Sequence, residues 1–222
     1  DIDKVFIQTG LKGKLIGQLE SLIRKNKINF SYVPTQKLDR LSKKNHQGVI
    51  ARIAPIKFYT IDSFSEVLEK SNNPFVLILD QINDVRNFGA IIRTAEISGV
   101  DGIIIQNSSS APVNSDTIKT SAGAMFKIPI CKVDHIKDAI YHLQASEIKV
   151  IAATEKANQM VYDHDLKVPL GIVMGSEGRG INPSVIKICD ESIKLPIIGE
   201  IESLNVSVAC GAILYEIVRQ RI

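Results

Sequence analysis

The spacing of apolar residues changes character about a third of the way along the 222-residue chain. In the first part, short apolar runs alternate with helical pattern. KVFIQ and INFSYVP read as strands. KLIGQLESLIRKN between them sets Leu15, Ile16, Leu19, Leu22 and Ile23 at the spacing of one helix face. TQKLDRLSKK predicts a second helix with Thr35 as its N-cap, and HQGVIARIAP a third strand. Residues 1–57 are therefore expected to form a small α/β module. Residues 57–73, KFYTIDSFSEVLEKSNN, predict one short helix capped by Asp62 or Ser63, then a break at Asn-Asn-Pro. The expected division is a module over 1–57, a linker over 58–73 and a second domain over 74–222.

From Pro74 the pattern is that of buried strands. FVLILD is apolar without alternation, as in a parallel sheet covered on both faces. A helix is predicted from about Asn87 to Ser98, stopped by Gly99. DGIIIQ, FKIPICKV, IKVIAAT and LGIVMGS follow, with helical stretches such as HIKDAIYHLQAS between them. This repeated β-α-β order gives an α/β fold with a parallel, Rossmann-like sheet. There is no internal repeat.

Composition sharpens the picture in two places. Hydrophobic residues make up 45% of the chain, enough for a core, but aromatics are only 5% and Trp is absent. RNA binding through many stacked aromatic platforms is therefore disfavoured. Charge is uneven. Residues 1–57 hold 12 Lys/Arg against 4 Asp/Glu, net +8; residues 58–222 hold 15 against 20, net −5. Such asymmetry fits a basic, nucleic-acid-binding module joined to a near-neutral one, and equally a Lys-rich solvated surface. Cys131, Cys189 and Cys210 lack metal spacing and read as reduced core thiols of a cytoplasmic protein. No signal-peptide pattern or bilayer-length apolar run is present, and the opening DIDKVFI, without Met, suggests that a piece precedes it.

Ligands of open parallel sheets bind beyond the C-terminal ends of the strands, so the segments that follow strands carry the candidate chemistry. After FVLILD come Asn87, placed to cap a helix, Gly89, which permits close approach to the backbone, and Arg93. These are also the features of a plain cap, tight turn and surface arginine. After GIVMG comes SEGRGI. Its alternate glycines leave a low-bulk loop suited to a ligand, and Glu177 favours a cationic or hydroxyl-bearing one over a pyrophosphate. A simple glycine turn is the bland alternative. After IKLPIIG come Ser203, Leu204, Asn205 and Ser207. Ser203 alone would cap the last helix; two hydroxyls and an amide in one turn exceed what capping needs. Lys119, Ser121 and Gly123 fit either a packing corner or an RNA contact. His46, His135, His142 and His164 are scattered and expected mostly at the surface, so no metal is expected. GxGxxG, Walker and GxSxG patterns are absent.

Three motifs thus stand in order: NFGAIIRTA, VMGSEGRGI and LPI…SLNVSVACGAILYEIVRQR. Together they resemble the SPOUT-class RNA methyltransferases, in the SpoU/TrmH branch that methylates ribose 2′-hydroxyls. The first module, with HQGVIARI near its end, looks like the ribosomal-protein-like substrate-binding domain of the 23S rRNA guanosine 2′-O-methyltransferases. The resemblance implies S-adenosylmethionine as methyl donor, a deep trefoil knot through which the last helix threads, and a homodimer. It implies catalytic roles for Asn87, Arg93, Glu177, Ser203 and Asn205. Thr154, Gly175, Leu195, Ile197 and Leu204 match positions that hold the cofactor. The family often has Asp-Pro-x-Asn where this chain has Asp84-Val85-Arg86-Asn87, so the same turn is expected without proline. The expected reaction is methyl transfer to a guanosine ribose of 23S rRNA. The alternatives are a tRNA ribose, a resistance site in rRNA, a non-catalytic RNA-binding assembly factor and, from fold alone, a Rossmann oxidoreductase.

Overall fold

The computed structural model describes residues 2–53, 56–201 and 203–222. Its elements group into two compact units, 1–57 and 58–222. The last two residues of the predicted third strand, Ala54 and Pro55, lie outside the described residues.

The first unit runs β1 (Ile2–Gln8), α1 (Lys14–Lys25), β2 (Phe30–Val33), α2 (Thr35–Leu41) and β3 (Val49–Ile53). β1 is central, parallel to β2 and antiparallel to β3. Successive residues of a strand face opposite sides, and β1 uses both. Val5 and Ile7 pack with Ile23 of α1, while Phe6 packs with Val33 and with Leu38 of α2. The α1 stripe is narrower than its sequence suggests. Ile23 is buried and Leu19 packs against the core, but Leu15 and Leu22 are 79% and 57% exposed. Thr35 does not cap α2. Pro34 occupies the cap position, and no side chain caps there.

The second unit begins with α3 (Ile61–Leu68). There follow β4 (Phe75–Asp80), α4 (Val85–Ile97), β5 (Gly102–Gln106), α5 (Ser115–Thr120), β6 (Ile130–Val133), α6 (Ile136–Ala145) and β7 (Lys149–Ala153). Then come β8 (Gln159–Met160), β9 (Leu170–Gly175), α7 (Pro183–Ile186), β10 (Glu191–Lys194) and α8 (Val206–Arg221). The seven strands pair in the order β6-β5-β4-β9-β7-β10-β8, all parallel. All six residues of β4 and of β9 are buried, as expected for the centre of a doubly covered sheet.

Residues 58–73 are no spacer. Tyr59 bridges to Cys131 at the β6 edge, and α3 sends Phe64 and Leu68 into the core beside Val76, Ile78 and Ile140. The helix is capped by neither Asp62 nor Ser63. Thr60 is the N-cap, and Ser63 completes a reciprocal capping box. Phe64 is fully buried, a burial worth about 2–3 kcal/mol. The second compact unit therefore starts before the predicted boundary at Pro74.

On the other face, Phe75, Leu77 and Leu79 point to the side where α4, α5 and α8 pack together. Arg221, at the end of α8, lies over the Phe75 ring. Its guanidinium donates to the carbonyls of Leu166, Asn73 and Val168 at 3.1, 3.1 and 2.6 Å. Gln220 binds Leu166 N and His164 O, so the last turn of α8 is fastened at this end of the sheet.

The histidines do not all lie at the surface. His135 is exposed, but the His164 side chain is only 6% exposed and its Nδ1 lies 2.7 Å from Glu191. Cys131 and Cys210 are buried and Cys189 is half-buried; burial pushes each thiol up to about 12, so all three stay protonated at neutral pH. Among the described residues, no helix is long and apolar enough to cross a membrane.

Candidate active site

The central strands end side by side, with Asp80 of β4 opposite Gly175 of β9. Their following loops, 81–84 and 176–182, are tied together. Asn182 N donates to the buried Asp80 carboxylate at 2.7 Å, and Asn182 then caps α7. Gly180 N donates to Ser176 O at 2.9 Å, folding 176–180 into a tight hairpin. Gly178 and Gly180 hold φ of 83° and 67°, values that side chains with a Cβ rarely adopt. At Gly175 a Cβ would overlap the Gly180–Ile181 peptide, so only glycine lets the loop fold back here. Some of the loop's N–H groups are thus used internally, and the glycines first shape the turn.

The start of α8 packs against this loop at Glu177. Its N-cap is Asn205, not Ser203. Asn205 Oδ1 accepts from Ser207 N at 3.0 Å, Val208 N at 3.3 Å and Ser207 Oγ at 2.6 Å. That leaves its amide nitrogen to reach across the site. Nδ2 donates to Asn87 Oδ1 at 3.0 Å and to Glu177 Oε1, and the same Glu177 oxygen accepts from Val206 N at 3.3 Å. One residue therefore both starts the last helix and joins all three sequence motifs.

Asn87 does not cap α4 either. Asp84 does, accepting from Asn87 N at 2.8 Å, and Val85 takes the first helical position without proline. A side-chain cap supplies the fixed entry that a proline ring would give. Freed from capping, the Asn87 side chain points to Asn205. What approaches Gly89 is Thr120 and Ser121 at the end of α5. Ser121 is fully buried and donates to Ile118 O, a packing corner; Lys119 is exposed.

Two cavities meet at this cluster. The larger, about 610 Å³, is lined by Thr154, Gly175, Leu195, Ile197, Ser203 and Leu204, and by Glu177 and Asn205 on its wall. Met174, Ile193 and Ile213 add apolar surface, and Glu155, Lys156 and Arg179 add charge. The smaller, about 390 Å³, is bordered by the 81–84 loop and Asn87. Ser176, Glu177, Arg179 and Val206 belong to both. Volumes of this size are those of small-molecule sites.

Of the ten residues to which the resemblance gives catalytic or cofactor-holding roles, nine line one or both cavities. Arg93 lines neither. It lies on the outer stripe of α4, where Arg86, Arg93 and Ile97 are exposed and Ala90 is half-buried. Six residues from Asn87 is well over one turn, so the two side chains leave the helix in different directions. Gln81, Asn83, Asp84, Ser176 and Arg179 were missed. The strand-end rule would have found the first three, and Arg179 stands inside the quoted glycine loop. Among the described residues, no group of three or more His, Cys, Asp or Glu is placed to hold a metal ion.

A sequence profile of the SpoU rRNA methylase family matches residues 74–215. The chain belongs to this family. A second profile, RNA 2′-O ribose methyltransferase substrate binding, matches residues 1–59. A Staphylococcus saprophyticus protein assigned to the TrmH family of tRNA/rRNA methyltransferases is 39% identical over 222 residues, covering 99% of this chain and 89% of the relative. Among solved structures, the A. aeolicus TrmH/SpoU tRNA modifying enzyme superposes with a TM-score of 0.62 at 30% identity, over 72% of this chain and 82% of that one. The SpoU methyltransferase AviRb from Streptomyces viridochromogenes, solved with AdoMet, gives 0.66 at 23% identity, over 100% and 83%. That last likeness is one of fold.

Proposed function

We propose that the chain transfers a methyl group from S-adenosylmethionine to the 2′-hydroxyl of a guanosine in 23S rRNA. The observation that carries this is the Asn87–Asn205–Glu177 cluster standing where two cavities meet. Transfer requires a donor and an acceptor to face each other across a polar wall that fixes both.

The residues of the larger cavity fit the donor. Leu195, Ile197, Leu204 and Ile213 offer an apolar bed for an adenine ring, with Thr154 and Gly175 beside it. The Glu177 carboxylate, poorly suited to a phosphate, suits a cationic ligand. When bound, S-adenosylmethionine supplies an electrophilic methyl carried on a sulfonium.

The chain's own residues hold the acceptor. Asn205 fixes Glu177 Oε1 and Asn87 Oδ1, which orients both toward the ribose. Glu177 accepts the hydrogen bond of the 2′-hydroxyl and, with Ser203, relays its proton. Such positioning supplies much of the rate of an in-line displacement. The role of Arg93 is electrostatic: its guanidinium grips the phosphate beside the target ribose.

Arg93 lines neither cavity of its own chain, and the reading therefore includes a homodimer. Val208, Ala212, Tyr215 and Arg219 form an exposed stripe along α8, which packs beside α4. Pairing two copies through these helices buries Val208 and Tyr215 and carries Arg93 toward the partner's site. Residues 1–57, at net +8, bind RNA through salt-sensitive phosphate contacts. We also read α8 as the threaded segment of a trefoil knot, and the protein as cytoplasmic.

Tritiated methyl transfer from S-adenosylmethionine to total RNA of a strain lacking the gene, followed by mapping, tests the assignment. Label on a 2′-O-methylguanosine of 23S rRNA is expected; label in tRNA redirects it, and no label on any RNA refutes it. Arg93→Ala is expected to lose turnover while keeping cofactor affinity. Mixing it with an Asn205→Ala chain restores part of the activity if the arginine acts across the dimer.

A further inference from the structure

The smaller cavity has no assigned occupant. Its loop is held at two points: Ile82 is buried, with its carbonyl accepting from Ala111 N at 2.7 Å, and Asp84 caps α4. Gln81 and Asn83 stand beside these anchors and line the cavity. Among the described residues neither side-chain amide has a hydrogen-bond partner. Gln81 also sits at φ 60°, the left-handed region that disfavours a side chain with a Cβ. A glycine there would relieve the backbone, so a glutamine at this position carries a cost to folding.

We propose that this cavity takes the base of the target nucleoside, swung out of its strand, and that Gln81 determines which base is accepted. The inference rests on the methyl-transfer reading above. The 2′-oxygen and the glycosidic nitrogen sit on adjacent carbons of one ribose. With the 2′-hydroxyl at Glu177 and the methyl donor in the larger cavity, the base falls on the far side of Glu177. That space is the smaller cavity, which borders Glu177 and Asn87. An amide presents a donor and an acceptor side by side, the form in which side chains read base edges. The Asp84 carboxylate at the same rim adds an acceptor. Guanine is the base that offers two adjacent N–H donors to a carboxylate and a carbonyl oxygen to an amide N–H. An unpaired nucleotide exposes this edge.

Gln81→Gly and Gln81→Asn test it, assayed with total RNA from cells lacking the gene and with nucleoside analysis of the labelled product. Both replacements accept the left-handed backbone. Expected for Gln81→Gly are unchanged or higher thermal stability, S-adenosylmethionine affinity within twofold, and kcat/KM for RNA lowered at least tenfold. Label is also expected to spread to other 2′-O-methylnucleosides. Gln81→Asn, which retains an amide, is expected to recover part of the selectivity. A Gln81→Gly protein that labels the same single nucleoside at the wild-type rate overturns the proposal. So does one whose activity falls only in step with cofactor affinity or stability. Wild-type protein that labels no RNA refutes the underlying reading, and this proposal with it.

Discussion

Asn205→Asp separates the two tasks of Asn205. Aspartate caps a helix as well as asparagine, so the bonds from Ser207 N and Val208 N survive. What is lost is the amide nitrogen that donates to Asn87 and Glu177. In its place a second carboxylate faces Glu177. Two unit charges 4 Å apart interact by about 1 kcal/mol in water and about 4 kcal/mol near a protein surface. Both residues are exposed, so the lower part of that range applies, about 1–2 kcal/mol. The pair relieves the repulsion by keeping a proton, which raises a folded-state pKa above the unfolded value near 4. At about pH 4 and below, protonation largely removes the repulsion, and the variant should differ from the wild type mainly by the one amide hydrogen bond that a single carboxyl O–H cannot replace. As pH rises the unfolded chain releases its proton first. The stability deficit therefore grows through the raised folded pKa and is complete at pH 8. Urea denaturation of both proteins at pH 4 and pH 8 measures the difference. Turnover at pH 8 should fall at least tenfold, because Glu177 loses the contact that orients it. A variant as stable and as active as the wild type at pH 8 would show that the cluster neither couples the motifs nor serves the reaction.

Gly175→Ala places a methyl group on the Gly180–Ile181 peptide, which cannot yield as a flexible side chain would; calorimetry should show cofactor affinity lost together with stability. Phe64→Ala should destabilise the protein by about 3–5 kcal/mol in denaturant titration, since the side chain is fully buried between α3 and the sheet; a loss below about 1 kcal/mol would mean that the helix is dispensable packing. Glu216 is held down to about 2 by the Arg219 guanidinium, with help from Gln220. Its folded pKa lies below the unfolded value near 4.3, so its contribution is present above that pH and lost as pH falls toward 2; Glu216→Gln should flatten this part of the acid-denaturation curve.

The long apolar strands were legible because burial on both faces removes alternation and leaves runs such as FVLILD and LGIVMG. The caps were less so. Thr35, Asp62, Asn87 and Ser203 each stood a residue or more from the true cap position, because capping depends on where the backbone first turns helical, and neighbouring polar residues compete for that place. The 58–73 segment looked like a linker because a short amphipathic helix before Asn-Asn-Pro has the same local pattern whether or not a core receives it. Phe64 and Leu68 find that core not only on the neighbouring β4 but on β5, β6 and α6, about 35 to 80 positions away in sequence.

By itself the sequence determined the parallel α/β architecture and the basic first module, and its polar positions after strands pointed to Asn87, Glu177, Ser203 and Asn205, since strand hydrophobicity, charge and polar positions after strands are local properties; Thr154, Gly175, Leu195, Ile197 and Leu204 came from the likeness to the family's motifs. The tertiary structure alone decided that Asn205, not Ser203, starts the last helix, and that its amide is thereby aimed at Asn87, 118 positions away, and at Glu177. It also turned Arg93 outward and opened a second cavity around Gln81. Those outcomes follow from β4 and β9 lying side by side, a pairing set by the burial of the whole sheet that no window of neighbouring residues contains.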